Sequence, residues 1–113
     1  MIVLICGGRE FNDWFKFDQA MTLLPFKPTL VVHGDARGAD TMGKMWAMSN
    51  GIYAIAVPAL WKQYDKKAGG HRNQKMLDLF DIGYVIAFPG GSGTADMVRR
   101  AREKQITVWE PYK

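Results

Sequence analysis

The sequence predicts an α/β fold, a single three-layer domain with a five-stranded parallel sheet in the order 3-2-1-4-5. Five short apolar runs alternate with segments in which apolar residues recur every three or four positions. The first run, residues 2–5, is apolar throughout, which is typical of a strand buried on both faces. Glycine-rich loops follow three of the runs. Because strands that alternate with helices are joined by crossover connections, we expect helices on both faces of the sheet.

Composition indicates one ordinary globular domain over residues 1–113. The chain is 48% hydrophobic and 23% charged, and no apolar stretch approaches the roughly 20 residues that span a bilayer. The apolar N-terminus has no basic flank, and the single cysteine, Cys6, excludes an internal disulfide. We therefore expect a cytoplasmic protein without a membrane partner. Its net charge of +4 permits polyanionic partners but does not require them.

The first half of the chain predicts two pairs of a strand and a helix. Asn12 or Asp13 is placed to cap the helix that follows residues 2–5. The inward positions of that helix are Trp14, Phe17, Met21 and Leu24. The second strand is predicted at residues 30–32, and its helix ends near Asn50 and Gly51. The inward residues of the second helix are Met42, Trp46 and Ala47.

The second half begins with a strand at residues 53–57 and the longest irregular segment, residues 59–70. A loop of that length in a small domain is usually functional or mobile. A third helix is predicted at residues 72–80, with Asn73, Met76, Leu77 and Phe80 on one face. The remaining elements are a strand at 84–88, a helix at 95–104 and a strand at 106–109.

The loop at residues 89–94, Pro-Gly-Gly-Ser-Gly-Thr, lies between an apolar run and a helical pattern. Glycines leave no Cβ between the backbone amides and a ligand. The helix that starts near Thr94 directs its unpaired N–H groups and the positive end of its dipole at the same place. The loop therefore predicts a site for an anionic group, and a phosphate fits it best.

Four loops should meet at the carboxyl edge of the predicted sheet, where ligands bind in such folds. They are residues 7–9, 34–40, 58–70 and 90–94, and all but the third are rich in glycine. This coincidence locates the predicted ligand site.

These motifs resemble the SLOG superfamily, and within it the YspA/YpsA-related family. The resemblance rests on four segments of a region that runs from residue 3 to residue 108: Cys6-Gly-Gly-Arg9, Val32-His-Gly-Asp-Ala-Arg-Gly-Ala-Asp40, Arg72-Asn73 and Phe88-Pro-Gly-Gly-Ser-Gly-Thr94. It implies a five-stranded Rossmann-like fold that binds a nucleotide or a nucleotide-derived ligand. Relatives in the superfamily include the LOG phosphoribohydrolases and the DprA-type DNA-processing proteins.

One position departs from the LOG pattern. The LOG enzymes, which this chain resembles, share the pattern Pro-Gly-Gly-x-Gly-Thr-x-x-Glu. The glutamate of that pattern acts in cleaving an N-glycosidic bond. At that spacing this chain has Met97, with Asp96 one residue earlier. One residue on a helix is a rotation of about 100°, so Asp96 does not simply replace the glutamate. The phosphate-binding half of the motif is intact.

The predicted ligand-binding residues come from the loops and the start of the third helix: Gly7, Gly8, Arg9, Gly34, Asp35, Arg37, Gly38, Asp40, Arg72, Asn73, Pro89, Gly90, Gly91, Ser92, Gly93 and Thr94. Arg37 is interpreted as an anion clamp, and Asp40 as either a helix cap or a ligand for a ribose hydroxyl. Arg72 and Asn73 serve either packing or binding. Trp61 and Tyr64 are candidates for stacking on a base.

Other residues are interpreted mainly as structural. Glu10 is the candidate catalytic carboxylate if there is chemistry. His33 is predicted to be a structural imidazole bonded to backbone, and Cys6 a core thiol. Core positions are also predicted for four methionines: Met42, Met45, Met48 and Met97. With two histidines and one cysteine, no zinc-binding spacing exists.

Three functions remain open on the sequence. The first, which we favour, is a module that senses or sequesters a nucleotide or a nucleotide-derived small molecule, without turnover. The second is a LOG-like phosphoribohydrolase or another hydrolase of N-glycosidic bonds. The third is DprA-like binding of single-stranded nucleic acid, suggested by the interleaved aromatics and lysines of residues 61–67. The sequence does not identify a cofactor other than the nucleotide or nucleotide-derived ligand, and it is compatible with a homo-oligomer.

Overall fold

The computed structural model covers residues 1–113 and describes every side chain except those of residues 62, 63 and 65. It contains one five-stranded sheet in the order β3-β2-β1-β4-β5, in which every pairing is parallel. The strands are β1 Ile2–Cys6, β2 Leu30–His33, β3 Tyr53–Ala56, β4 Ile82–Ala87 and β5 Thr107–Trp109. The predicted fold class and strand order are confirmed.

Five helices connect the strands: α1 Trp14–Thr22, α2 Ala39–Ser49, α3 Trp61–Tyr64, α4 Ala68–Leu79 and α5 Ser92–Glu103. Asp13 is the N-cap of α1, and its Oδ1 accepts a hydrogen bond of 3.0 Å from the Lys16 amide. This confirms one of the two predicted caps. Among the helices that the structure describes, none has the length and apolar character needed to cross a membrane.

The sheet separates two hydrophobic cores, which gives the domain its three layers. Along β1, Val3 and Ile5 face the layer of α1 and α2, and Leu4 and Cys6 face the layer of α4 and α5. Successive side chains of a strand point to opposite faces, so a central strand with helices on both sides must be apolar at every position. This explains the continuous apolar run at the start of the chain.

The prediction that residues 59–70 are irregular is wrong. The segment contains α3, a 3₁₀ turn at Asp65–Lys67 and the first turn of α4, which begins four residues before the predicted helix start. Gly69 and Gly70 are poor helix formers, so local propensity favours a loop there. Tertiary packing overrides that propensity: an added Cβ on Gly70 would lie 3.1 Å from Arg100 Nη2, so α4 approaches α5 closely at this glycine.

The core prediction holds for Met42 and Met97 but is wrong for Met45 and Met48. The first two are 3% and 1% exposed, and the other two are 50% and 68% exposed. Each three-residue step turns a helix by about 300°, so a run with that spacing drifts about 60° per step around the helix. Met45 and Met48 have drifted away from the sheet.

Candidate functional site

The loops after β1, β2 and β4 are held together by Gly8. Its amide donates a 2.9 Å hydrogen bond to the carbonyl oxygen of Pro89, and its own carbonyl oxygen accepts one of 3.3 Å from Ala39 N. The three glycine-rich loops therefore lie side by side at the carboxyl edge of the sheet, as the parallel topology predicts.

Two of the loop glycines are required by this close packing. A Cβ on Gly38, which has φ +83°, would lie 2.2 Å from the carbonyl oxygen of Gly8. A Cβ on Gly90 would lie 2.2 Å from Thr94 Oγ1 and 2.6 Å from Gly8 N. Neither position has room for a side chain, so these glycines shape the site from behind.

The start of α5 is open, in contrast to those two positions. Gly91 is its N-cap, and no described side chain caps the helix. The amides of Ser92, Gly93 and Thr94 belong to the first turn, where N–H groups have no partner within the helix, and they donate to no other described group. An added Cβ on Gly91 or Gly93 would meet nothing within 4 Å. The helix N-terminus therefore faces free space.

That space is a cavity of about 380 Å³, which we call the central chamber. It lies between the three glycine-rich loops, Trp61 of α3 and the first half of α4. Twelve of the predicted site residues line it: Gly7, Gly8, Arg9, Gly34, Asp40, Trp61, Arg72, Asn73, Gly91, Ser92, Gly93 and Thr94. The structure thus brings together residues that are up to 87 positions apart in the chain, from Gly7 to Thr94.

Six predicted residues lie elsewhere. Gly38 packs behind Gly8, while Pro89 and Gly90 line a different cavity on the far side of the loop. Asp35 and Arg37 line a neighbouring cavity of about 420 Å³. Tyr64 stacks on His71, with 4.1 Å between ring centroids, and lines a cavity at the other side of α4.

Arg72 and Asp40 fix the second glycine loop from inside the chamber. Arg72 Nη1 donates to the carbonyl oxygen of Gly34 at 2.7 Å, and its Nε donates to Asn73 Oδ1 at 2.9 Å. Asp40 Oδ2 accepts from the amides of Gly34 at 2.9 Å and Ala36 at 3.3 Å. Asp40 is therefore not the N-cap of α2, which is Gly38. Its carboxylate caps the preceding loop.

The two charged groups influence each other's ionisation. Burial raises the pKa of Asp40 to about 6, although the two amides and Arg72 oppose the rise. Burial also lowers the pKa of Arg72, with Asp40 acting in the opposite direction. Asp40 is the one acidic side chain among the described residues that line the central chamber.

Asn73 connects α4 to the N-terminus of α5. Its Nδ2 donates to the carbonyl oxygen of Gly93 at 3.2 Å and to Asp96 Oδ2 at 3.0 Å. Partial burial acts to raise the pKa of Asp96, but hydrogen bonds from Asn73, Arg100 and Arg99 outweigh it, so the pKa is lowered. The role of Asp96 was missed from the sequence; its spacing of three and four residues from the two arginines was the available signal.

The floor of the chamber is apolar. It is formed by Cys6, Met76 and Met97, and both methionines are almost fully buried. Burial, reinforced by the nearby Asp40 carboxylate, strongly raises the pKa of the Cys6 thiol, which therefore stays protonated. Met97 occupies the position at which a LOG enzyme has its glutamate, so α5 contributes a thioether to the floor.

His33 and Glu10 lie outside the central chamber. His33 Nδ1 accepts a 3.0 Å hydrogen bond from Asp35 N, and burial lowers the pKa of the imidazole. The prediction of a structural, backbone-bonded histidine is confirmed. Glu10 forms an ion pair with Arg37 on the surface, where the two side chains are 86% and 72% exposed.

Fold and site together define a class: a Rossmann-like α/β protein whose glycine-rich loops surround an uncapped helix N-terminus. The chain belongs to the YspA, cpYpsA-related SLOG family, whose sequence profile matches residues 1–64. It is also 34% identical to "Gene 61 protein" of Mycobacterium phage D29 over 117 aligned positions, which cover 94% of this chain and 92% of that protein. The family predicted from the four motifs is confirmed.

Proposed function

We propose that this protein binds a nucleotide or a nucleotide-derived small molecule in the central chamber. The observation that carries the proposal is the uncapped N-terminus of α5: its first three amides are unpaired among the described groups, and their residues line the chamber. A helix start of this kind stabilises an anion through its N–H groups and its dipole. Membership of the SLOG family supports a nucleotide-related function in general.

The walls of the chamber suit the remainder of such a ligand. Arg9 and Arg72 supply positive charge, and the Arg9 guanidinium lies 5.6 Å from the centre of the Trp61 ring. Trp61 is 51% exposed, so its ring can still cover a base. A volume of about 380 Å³ is at the small end of the roughly 300–1,000 Å³ typical of ligand pockets. The chamber therefore fits one small molecule.

Charge pairing disfavours the nucleic-acid alternative. The four cations in the second half of α5 and just after it all form ion pairs: Arg99 and Arg100 with Asp96, Arg102 with Glu110, and Lys104 with Asp78. Paired cations release fewer counterions from a polyanion than free ones do. The helix therefore offers a weaker electrostatic surface to nucleic acid than its sequence suggests.

The hydrolase alternative requires a carboxylate near the scissile bond. The glutamate position is occupied by Met97, and Oδ2 of Asp40 is held by two amides. We therefore propose binding without turnover. Sustained release of free base from nucleoside monophosphates, abolished by Asp40→Asn or Glu10→Gln while ligand still binds, would establish the enzyme instead.

Titration calorimetry tests the proposed site. Mono- and diphosphates of adenosine, guanosine, cytidine and uridine are titrated into the wild type and into Gly91→Val. A Cβ at position 91 meets nothing within 4 Å, and the valine stands next to the free amides in the chain, so we expect at least tenfold weaker binding of whichever nucleotide binds, with a change in stability of about 1 kcal/mol or less. Ser49→Val, exposed at the far end of α2, is the matched control and should bind as the wild type does. Equal affinity in wild type and Gly91→Val would remove α5 from the site.

A further inference from the structure

A second cavity of about 630 Å³, which we call the lysine chamber, adjoins the central chamber at the start of α5. Five residues line both cavities: Trp61, Gly69, Asn73, Ser92 and Gly93. The amides at the start of α5 therefore stand where the two chambers join, and one ligand can contact both.

The lysine chamber is positively charged. Lys66, Lys67 and Arg100 line it, together with the exposed imidazole of His71. Its one described acid, Asp96, is neutralised by Arg99 and Arg100 and accepts a further hydrogen bond from Asn73. Lys66 and Lys67 form no ion pair with any described side chain. Among the described side chains, these two cations are therefore not neutralised by an acid.

The cavity on the other side of Trp61 is a weaker candidate for the same role. It is lined by Arg9, Arg37 and Arg72, but also by Asp35. Arg37 is already paired with Glu10, and Arg72 already donates to the carbonyl oxygen of Gly34. Fewer of its positive charges are free, so the electrostatic attraction for a second anionic group favours the lysine chamber.

The first turn of α4 keeps the lysine chamber open. Gly69 and Gly70 both line it, although glycine inside a helix is less favourable than alanine. An added Cβ on Gly69 would lie 3.8 Å from the Trp61 ring, and one on Gly70 would lie 3.1 Å from Arg100 Nη2. Side chains here would fill the passage between the chambers and displace Arg100.

We propose that the ligand carries two phosphate groups and belongs to the nucleoside diphosphate class. The inference rests on the proposed function and extends it. One phosphate binds the amides of Ser92–Thr94, and the second lies in the lysine chamber against Lys66 and Lys67. A substituent on the second phosphate has room in the same chamber.

Calorimetric titration with matched probes tests this assignment. AMP, ADP, GMP and GDP are titrated into the wild type, Lys66→Ala/Lys67→Ala and the control Lys27→Ala/Lys75→Ala. The control removes the same charge from exposed lysines that line neither chamber. We expect the wild type to prefer one diphosphate over its monophosphate by about tenfold or more. The first variant should lose that preference and keep its monophosphate affinity, while the control keeps the preference.

The outcomes separate this inference from the proposed function. Equal wild-type affinity for monophosphates and diphosphates overturns the inference and leaves the proposed function standing. A diphosphate preference that survives in Lys66→Ala/Lys67→Ala, or an equal loss for both probe classes, also overturns it. Absence of binding by all the mono- and diphosphates of adenosine, guanosine, cytidine and uridine overturns both. Lys66→Gln/Lys67→Gln, which keeps the side-chain length, replaces the alanine variant if that variant shows a lowered melting temperature.

Discussion

Asp40 shows how a single residue of the site is tied to the stability of the fold. The carboxyl is 5% exposed, and burial raises its pKa from 3.8 to about 6. A carboxyl whose folded pKa lies above its unfolded value binds a proton more readily in the folded state. Its ionisation therefore costs stability, which is recovered as the pH falls through 6. The full difference corresponds to about 3 kcal/mol.

The first prediction follows from the direction of this pKa shift. Relative to Asp40→Asn, the wild type should gain about 1–1.5 kcal/mol of unfolding free energy between about pH 7.5 and pH 5. Burial also lowers the pKa of His33, which opposes the gain in the same range, but both proteins carry His33 and the effect cancels in the difference. Urea unfolding at a series of pH values measures it, and a difference that does not change with pH would contradict the role given to Asp40.

The second prediction separates two adjacent glycines. Gly90→Ala forces a Cβ against the Gly8 backbone and should destabilise the protein by about 1–3 kcal/mol, the range for overpacking. Gly91→Ala places its Cβ in open space and should change stability by less than about 1 kcal/mol. Thermal unfolding of both variants measures this contrast. Equal destabilisation would show that the loop is packed differently from the structure.

At the residue scale, the sequence predicted that glycines gather at this edge of the sheet but not how each is used. Gly38 and Gly90 support the neighbouring backbone, whereas Gly91 and Gly93 border free space. A sequence pattern gives the absence of a side chain in both cases, and only the tertiary contacts distinguish them. The same limit applies to Arg37, whose partner Glu10 is 27 positions away. Its role as an anion clamp stays a prediction.

At the scale of elements, the junction of α4 and α5 positions the helix start on which the proposal rests. Asn73 is 4% exposed and holds Gly93 and Asp96 through two hydrogen bonds. Asn73→Ala should destabilise the protein by about 1–3 kcal/mol, because it removes the three hydrogen bonds that this buried side chain forms with Arg72, Gly93 and Asp96. Gln74→Ala, on the adjacent and partly exposed position, removes an amide that bonds Asp78 and Arg100 and should cost less than half as much. Denaturant unfolding compares them, and equal costs would contradict the buried junction.

The sequence predicted the strands better than the helix boundaries, for a physical reason. Strand positions were predicted because a parallel sheet covered on both faces demands continuous apolar runs. The start of α4 was not, because its two glycines disfavour a helix locally and are accommodated by contacts with Trp61 and Arg100. Propensity alone could not identify those partners, which are 8 and 30 positions away from Gly69 and Gly70 respectively.

At the scale of the whole molecule, topology brings the site together. Parallel strands place the loops after β1, β2 and β4 at one edge, and α4 returns across the opposite layer to close the central chamber. A larger cavity, about 780 Å³, lies between α5 and the C-terminal residues 110–113, and Pro89 and Gly90 of the loop after β4 line one side of it. Volume alone would therefore favour that cavity, whereas the unpaired amides and the convergent loops favour the central chamber as the candidate site.

Native mass spectrometry of the purified protein tests the central claim most directly. Spectra are recorded for the wild type and for Gly91→Val, each as purified and after addition of the four nucleoside diphosphates. The account predicts a wild-type species heavier by the mass of one nucleotide, which dissociates on denaturation, and its loss in Gly91→Val. A wild-type protein that carries no nucleotide under either condition, or a Gly91→Val variant that carries as much as the wild type, would contradict the account.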